Sequence, residues 1–484
     1  MKIVVLPMDE RPPNYQLVRE IGAMHGQEVT MPEVSLLGRY MNPGDCPKLS
    51  EWLKENQADV FVVSVDMLVF GGLIASREEG IDEEDAVKRL ELIKEIRSRN
   101  PRSRILLSSI ARRASISVSS AGSRKLWKSL NDYMLFKSKN MLEEAKAVKS
   151  SFPKGFLERY YELRKRNHMV NRTCVELIRS SIADVLVLAQ EDTIFGGPQV
   201  EELRVLGDMV EDYGLQDRVF IHNGADEVVQ ELLSLACRKS RITADIVYDT
   251  AETAKKVMDF EDREFEANVR SHTDLVGIDA SPDSETGILI AGSSVEKSLL
   301  ALQSLSRRKK RVMILDVFRA NGSNPEFVES FMKMDLKNIW GYSAWNTASN
   351  SLGTLLSVVS AASMDERDSR MKIARFYVSR LLDDHLYQGV LREKLESLVQ
   401  VVHGNEYKVS TTPGLFGNFR NNLFLPAARD FLERNFYEKE MDLFEGYIQR
   451  GSISVDEFIL PWDRTFECRL ETRIISDRGE ELCR

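Results

Sequence analysis

Short runs of β-branched and other apolar residues recur along this chain: KIVVLP, VFVVSV, RILLSSI, DVLVLAQ, RVFIHN, RVMILDV and IWGYSAW. Each gives way to a polar or glycine-containing turn and then to an amphipathic helical pattern. A strand that is apolar at every position has to be covered on both faces, and the intervening helices supply that cover. The pattern therefore predicts an α/β protein built on parallel sheet. A weaker run, QEVTMP at 27–32, supplies a second strand, and the resulting count of eight predicts a (β/α)8-barrel-like sheet. ADIVYDT near 244 and GILIAGSS near 287 are in excess of that count and read as a small inserted α/β unit. The alternative that absorbs them is a two-lobed doubly wound sheet.

The domain reading follows from these runs. Residues 1–242 form the first part of a catalytic α/β domain, interrupted by a basic, helical insertion at 115–182. Residues 243–300 are the inserted unit, 301–363 complete the catalytic domain, and 364–484 form a mostly helical C-terminal domain ending in a β-like piece, FECRLETRII. Insertions as long as 115–182 carry their own structure and often roof a site.

Composition removes several classes of function. A net charge of −9 on 484 residues argues against binding a phosphate backbone, so no nucleic-acid partner is expected. Cys46, Cys174, Cys237, Cys468 and Cys483 are scattered and never form a CxxC pair, which predicts neither a disulfide framework nor a zinc knuckle. A reducing cytoplasm is the expected location. No run approaches the roughly 18 apolar residues of a membrane span, and no signal peptide is read at the N-terminus. The sequence encodes no statement about oligomeric state.

In parallel α/β folds, ligand chemistry gathers at the carboxyl ends of the strands. This chain puts Asp9, Glu10 and Arg11 after the first strand, Asp66 after the third, and Arg112 and Arg113 after the fourth. The fifth strand ends in Gln190, Glu191 and Asp192, and the sixth in His222, Asn223, Asp226 and Glu227. Later ends carry Asp316, Arg319, Asn321 and Asn324, then Trp345, Asn346, Thr347 and Asn350. Singly, each Asp reads as a helix cap, His222 as a hydrogen-bonded core residue, and Arg112 and Arg113 as a surface pair. Their accumulation over so many strand ends predicts one polar pocket.

Carboxylates with amides, a tryptophan and a single histidine suit a hydroxylated ligand. The expected function is hydrolysis of a glycosidic bond in a small-molecule or oligosaccharide substrate, with Asp192 and Asp226 as the acid and base or nucleophile and Glu191 and Glu227 as their alternates. Asp9, Arg11, Asp66, His222, Asn223, Asp316, Asn321, Trp345, Asn346 and Asn350 would shape the substrate, Trp345 by stacking on a sugar face. No cofactor is called for. A divalent-metal hydrolase using the same acidic cluster is the first alternative, although no HxH, HExxH or DxDxDG spacing supports it. A non-catalytic sugar-binding protein is the second. GxGxxG, GxxxxGK[ST] and GxSxG motifs are missing, and SSAGSRK at 119–125 reads as a helix start.

The motifs LPMDERPPNY, SVDMLVFGGLIASR, QEDTIFGG, HNGADEV and AWNTASNSLGT occur in this order between residues 6 and 354. Together they resemble the bacterial family catalogued as domain of unknown function 4127, whose members open with LPLDERPCN. The C-terminal RLLDDHLYQ belongs to the same resemblance. It implies that Asp9, Arg11, Asp66, Asp192, Asp226, Asn346 and Asn350 are motif positions, and it carries no activity with it. Pro13 stands where the family pattern has Cys, so a thiol there is dispensable for whatever the members share.

Overall fold

The computed structural model describes all residues except 119–120, 194–195, 335, 365, 476–480 and 484, and leaves out the side chains of 121, 447 and 481–483. The chain divides into two units. The first comprises residues 1–15, 27–236 and 260–263; the second comprises 16–26, 237–259 and 264–484.

In the first unit, β1 (Ile3–Leu6), β2 (Val29–Thr30), β3 (Val60–Ser64), β4 (Arg104–Ala111), β5 (Val185–Gln190) and β6 (Val219–Asn223) pair in the order β2-β1-β3-β4-β5-β6, every pair parallel. β1 and β3 are buried at every position, as their unbroken apolar sequences require. On one face, Val4, Leu6, Phe61, Val63, Ile105, Leu107, Leu186 and Leu188 alternate along their strands. They share a core with Leu49 and Leu53 of helix Cys46–Glu55, Ile93 and Ile96 of Glu91–Arg99, and Leu206 and Val210 of Gln199–Asp212. Residues 115–182 contain helices Ala121–Ser138, Leu142–Lys149 and Phe156–Arg179 around a separate small core of Leu130, Tyr133, Met134, Ala145, Leu157 and Tyr160. SSAGSRK begins in residues 119–120, which lie outside the described residues, and is helical from Ala121.

In the second unit, β7 (Ile242–Tyr248), β8 (Ile278–Ala280), β9 (Thr286–Ala291), β10 (Arg311–Asp316) and β11 (Ile339–Ser343) pair in the order β11-β10-β9-β7-β8, again all parallel. Residues 243–300, read from sequence as an insertion, thus share one sheet with β10 and β11. Beyond residue 364, helices including Arg367–Arg380, Arg392–Val401 and Leu425–Asn435 accompany a π-helical stretch at Leu381–Leu391. Strands Ile453–Ile459, Arg469–Ile475 and Glu481–Cys483 form an antiparallel sheet.

Among the described residues, the strands do not close into an eight-stranded barrel. Closure needs the first and last strands to pair, whereas β2 and β6 are the edges of one sheet and β8 and β11 the edges of the other. In each unit the chain adds its second strand on one side of the first and then returns to add the third on the other. This is the doubly wound order 2-1-3-4-5, with a sixth strand added in the first unit. The fold is mixed α/β with parallel sheets. Among the described residues, no helix is long and apolar enough to cross a membrane.

Candidate functional site

Strand register decides which residues share the carboxyl edge of the first sheet. Leu6 is paired with Val63, Val63 with Leu107, Leu107 with Leu186 and Leu186 with Val219. Counting on from that row, Asp9, Asp66 and His222 lie three residues beyond it, and Arg112 and Glu191 five beyond. Doubly wound sheets bind ligands where the winding reverses, here between β1 and β3. Asp9 and Asp66 follow those two strands.

Arg11 joins two acids from distant parts of the sequence. Its Nε and Nη2 donate to Asp9 Oδ2 at 2.9 and 2.6 Å, and its Nη1 and Nη2 donate to Asp226 Oδ2 and Oδ1 at 3.1 and 2.5 Å. Asn14 Nδ2 donates to both carboxylates, at 3.1 and 3.2 Å. All four residues are buried. Burial lifts the Asp9 carboxyl above its usual range; Arg11 opposes the lift and Asp226 adds to it.

The remaining acids on this edge have other partners. Asp66 accepts the Ile110 amide at 2.9 Å, and burial pushes its carboxyl up to about 7 against that bond and one from Ser76. Glu191 is ion-paired with Arg77. Asp192, partly exposed, accepts from Arg113 at 3.1 Å. The expected Asp192 and Asp226 are therefore held by different guanidiniums. Burial and the nearby Arg113, with Arg112 and Arg11 behind it, pull Arg77 below its usual range while Asp192 opposes them.

Arg112, expected at the surface, is 3% exposed. Its position follows from the long insertion. Arg164 of helix Phe156–Arg179 donates to the Arg112 and Arg113 carbonyls at 2.9 and 2.6 Å, Tyr160 donates to the Ala114 carbonyl at 2.6 Å, and Asn171 donates to the Ile110 carbonyl at 3.2 Å. The helix is thereby fastened over the end of β4. The Arg112 guanidinium lies 5.5 Å from the Tyr160 ring centre, and its Nε and Nη1 are buried with no hydrogen-bond partner among the described residues. Burial, then the neighbouring Arg164, lowers its pKa to about 9. Arg164 itself is neutralised by Glu202 through bonds of 2.9 and 2.6 Å.

At the end of β6, His222 Nδ1 lies 2.9 Å from the Asn223 carbonyl oxygen. His222, Asn223, Glu227 and Glu231 are all buried. Glu227 Oε2 accepts the Ala225 amide at 2.9 Å. Burial and then Glu231 push Glu227 well above the usual carboxyl range, and burial does the same to Glu231.

The other expected residues belong to the second unit. Asp316, closing β10, accepts the Tyr342 hydroxyl and the Asn324 amide, each at 2.8 Å, and burial carries its carboxyl to about 7. Asn321 and Asn346 have φ of 61° and 53°, and the Asn321 amide donates to the Asn346 carbonyl at 2.7 Å. Trp345 is partly buried and donates through Nε1 to Thr354 at 3.2 Å. The Asn350 amide donates to the Thr347 hydroxyl that caps helix Ala348–Ala362. Where this sheet reverses, between β7 and β9, a carboxylate of the chain fills the loop. Asp249 Oδ2 accepts the Gly292, Ser293 and Ser294 amides at 3.1, 2.9 and 3.2 Å and the Ser298 hydroxyl at 2.8 Å. A helix start that elsewhere cradles a phosphate here holds an aspartate.

Asn14, Arg77, Glu231 and Asp249 were not identified as site residues from sequence. Only Glu231 carried a local signal, being one helical turn beyond Glu227.

Two doubly wound parallel-sheet units, the first with a charged, buried carboxyl edge, define an α/β protein. The chain belongs to the family described as Protein of unknown function (DUF4127), whose profile matches residues 3–471. No curated protein and no solved structure matched the chain.

Proposed function

We propose that the first unit binds a small hydroxylated anion, a sugar acid or sugar phosphate, at the carboxyl edge of its sheet and acts on it by acid–base chemistry. The observation that carries this reading is Arg112: a guanidinium 3% exposed, with two nitrogens that lack hydrogen-bond partners among the described residues. Burying a charge in this state costs several kcal/mol, on the order of what a paired anion returns. The planar fork of arginine suits carboxylate and phosphate oxygens. Arg77 and Arg113 add positive charge near it. Asp9, which shares Arg11 with Asp226 on the same sheet edge and is pushed upward by burial, supplies the acid–base group of this reading.

This reading moves the acid–base pair from Asp192 and Asp226 to Asp9 and Asp226. Cleavage of a glycosidic bond is one reaction such a pair can serve, and the test includes it. Calorimetric titration of the full chain with inorganic phosphate, glucuronate, glucose 6-phosphate and neutral glucose should show saturable binding of an anion and none of the neutral sugar. R112M should weaken that binding at least about tenfold, and R112K less. Aryl glucuronides and aryl glycosides, assayed with D9N and D226N, score turnover. Failure of every anion to bind, or equal binding by R112M, overturns the proposal.

A further inference from the structure

We infer that His222, Glu227 and Glu231 bind a first-row divalent cation, zinc or manganese, between the end of β6 and the start of helix Val228–Cys237. One donor atom from each lies within 4.8 Å of the others, and all three residues are 0% exposed. Imidazole nitrogen with carboxylate oxygen is the donor set that these ions take.

The local chain explains how the donors meet. Glu227 immediately precedes helix Val228–Cys237 and Glu231 lies in its first turn, and the Glu231 amide donates to the Glu227 carbonyl at 3.1 Å, which brings the two residues together. His222 precedes them through the turn at Gly224, whose φ of +102° bends the chain back from the strand. The 2.9 Å approach of His222 Nδ1 to a carbonyl oxygen requires a proton on Nδ1, so in the neutral ring Nε2 carries the lone pair. Metal-binding histidines are held in this way, by a second-nitrogen bond to a carbonyl or carboxylate. Nε2 is 3.8 Å from Glu231 Oε2, too long for a hydrogen bond. Two donors each about 2.1 Å from one tetrahedral ion are roughly 3.4 Å apart, so a small contraction seats both.

A second observation points to the ligand independently of the clustering. Glu227 Oε2 is satisfied by the Ala225 amide, but Oε1 is buried with no hydrogen-bond partner among the described residues. A carboxylate oxygen left in this state is costly, and a cation supplies what the protein does not. Asp226, the neighbour of Glu227, points elsewhere in its bonding, to Arg11 and Asn14. The cation site and the arginine-rich edge therefore use different side chains.

The experiment measures metal in the full chain by mass spectrometry, as purified and after chelation, and then titrates zinc and manganese calorimetrically into the stripped protein. The expected result is one ion per chain, a melting temperature raised by the metal, and a loss of affinity of about 100-fold or more in E231Q and H222Q. E231Q keeps the volume of a protonated glutamate, and its circular dichroism establishes that it folds. Absence of stoichiometric binding of either ion, or binding by E231Q equal to that of the parent, overturns the site.

Discussion

Arg11 and Asp226 are 215 positions apart in sequence and joined by two hydrogen bonds, of 3.1 and 2.5 Å, with both side chains almost fully buried. Removing the cation leaves Asp9 and Asp226 facing each other without compensation. R11M is expected to destabilise the protein by about 3–5 kcal/mol. D226N in the same chain removes one of the stranded charges, so R11M/D226N should be less destabilised than the two single variants predict together. Denaturant titrations of the four proteins form the cycle, and strict additivity contradicts the coupling.

Asp66 makes stability depend on pH in a fixed direction. Its folded carboxyl is raised to about 7 from an ordinary 3.8, so the folded chain holds this proton more tightly than the unfolded one. The resulting stability is complete below pH 3.8 and is lost as the pH rises to about 7, by an amount on the order of a few kcal/mol. D66N keeps an acceptor for the Ile110 amide and removes the titration. The difference in melting temperature between D66N and the parent should therefore move in favour of D66N between pH 4 and 7.

Gly224 cannot accept a side chain. Its φ is +102°, and an added Cβ would overlap Glu227 Oε1. G224A should cost about 2 kcal/mol or more in denaturant titration, because the backbone penalty and the displaced carboxylate add. It should also weaken the zinc or manganese binding proposed for His222, Glu227 and Glu231 in the calorimetric titration.

Asp249 behaves in the opposite sense to Asp66. Burial favours its neutral form, but the Thr253 hydroxyl and the Ser293 and Gly292 amides outweigh burial and hold its carboxyl below the usual range. Its contribution is present above the unfolded value near 3.8 and is lost as the pH falls through the folded one. D249N should cost about 1–3 kcal/mol at neutral pH and have little effect in strong acid, as read from unfolding curves across that range.

Asn346 occupies the left-handed region with φ of 53°. N346G retains that backbone freely, whereas N346V forces a β-branched residue into it. Both variants lose the Asn346 side chain, and the valine variant should fall about 1–2 kcal/mol below the glycine variant, by thermal melting.

The strands were legible because residues such as Val4, Phe61 and Leu186 leave no polar face, and burial on both sides admits few other structures. Their grouping was not. Nothing local in ADIVYDT distinguishes a strand that starts a new sheet from one inserted into an old one; that depends on which edge the chain returns to. Asp9, Asp66, Asp226 and Asp316 were found at strand ends because capping and ligand chemistry favour the same residue types there. Their partners were not legible, since Arg11 meets Asp226 only through tertiary structure. Arg112 misled for the same reason: its burial is imposed by Arg164 and Tyr160, some fifty residues later in the chain.

The path of the polypeptide between its two units has a practical consequence. The chain passes from one to the other at residues 15–16, 26–27, 236–237, 259–260 and 263–264. A fragment ending at 236 would carry helix Gln16–Met24 without the unit to which it belongs, with Leu17, Val18 and Ile21 uncovered, and would lack 260–263. Neither half can be cut out cleanly, so truncation is the wrong tool for assigning an activity to one of them, and point substitutions in the intact protein are the right one.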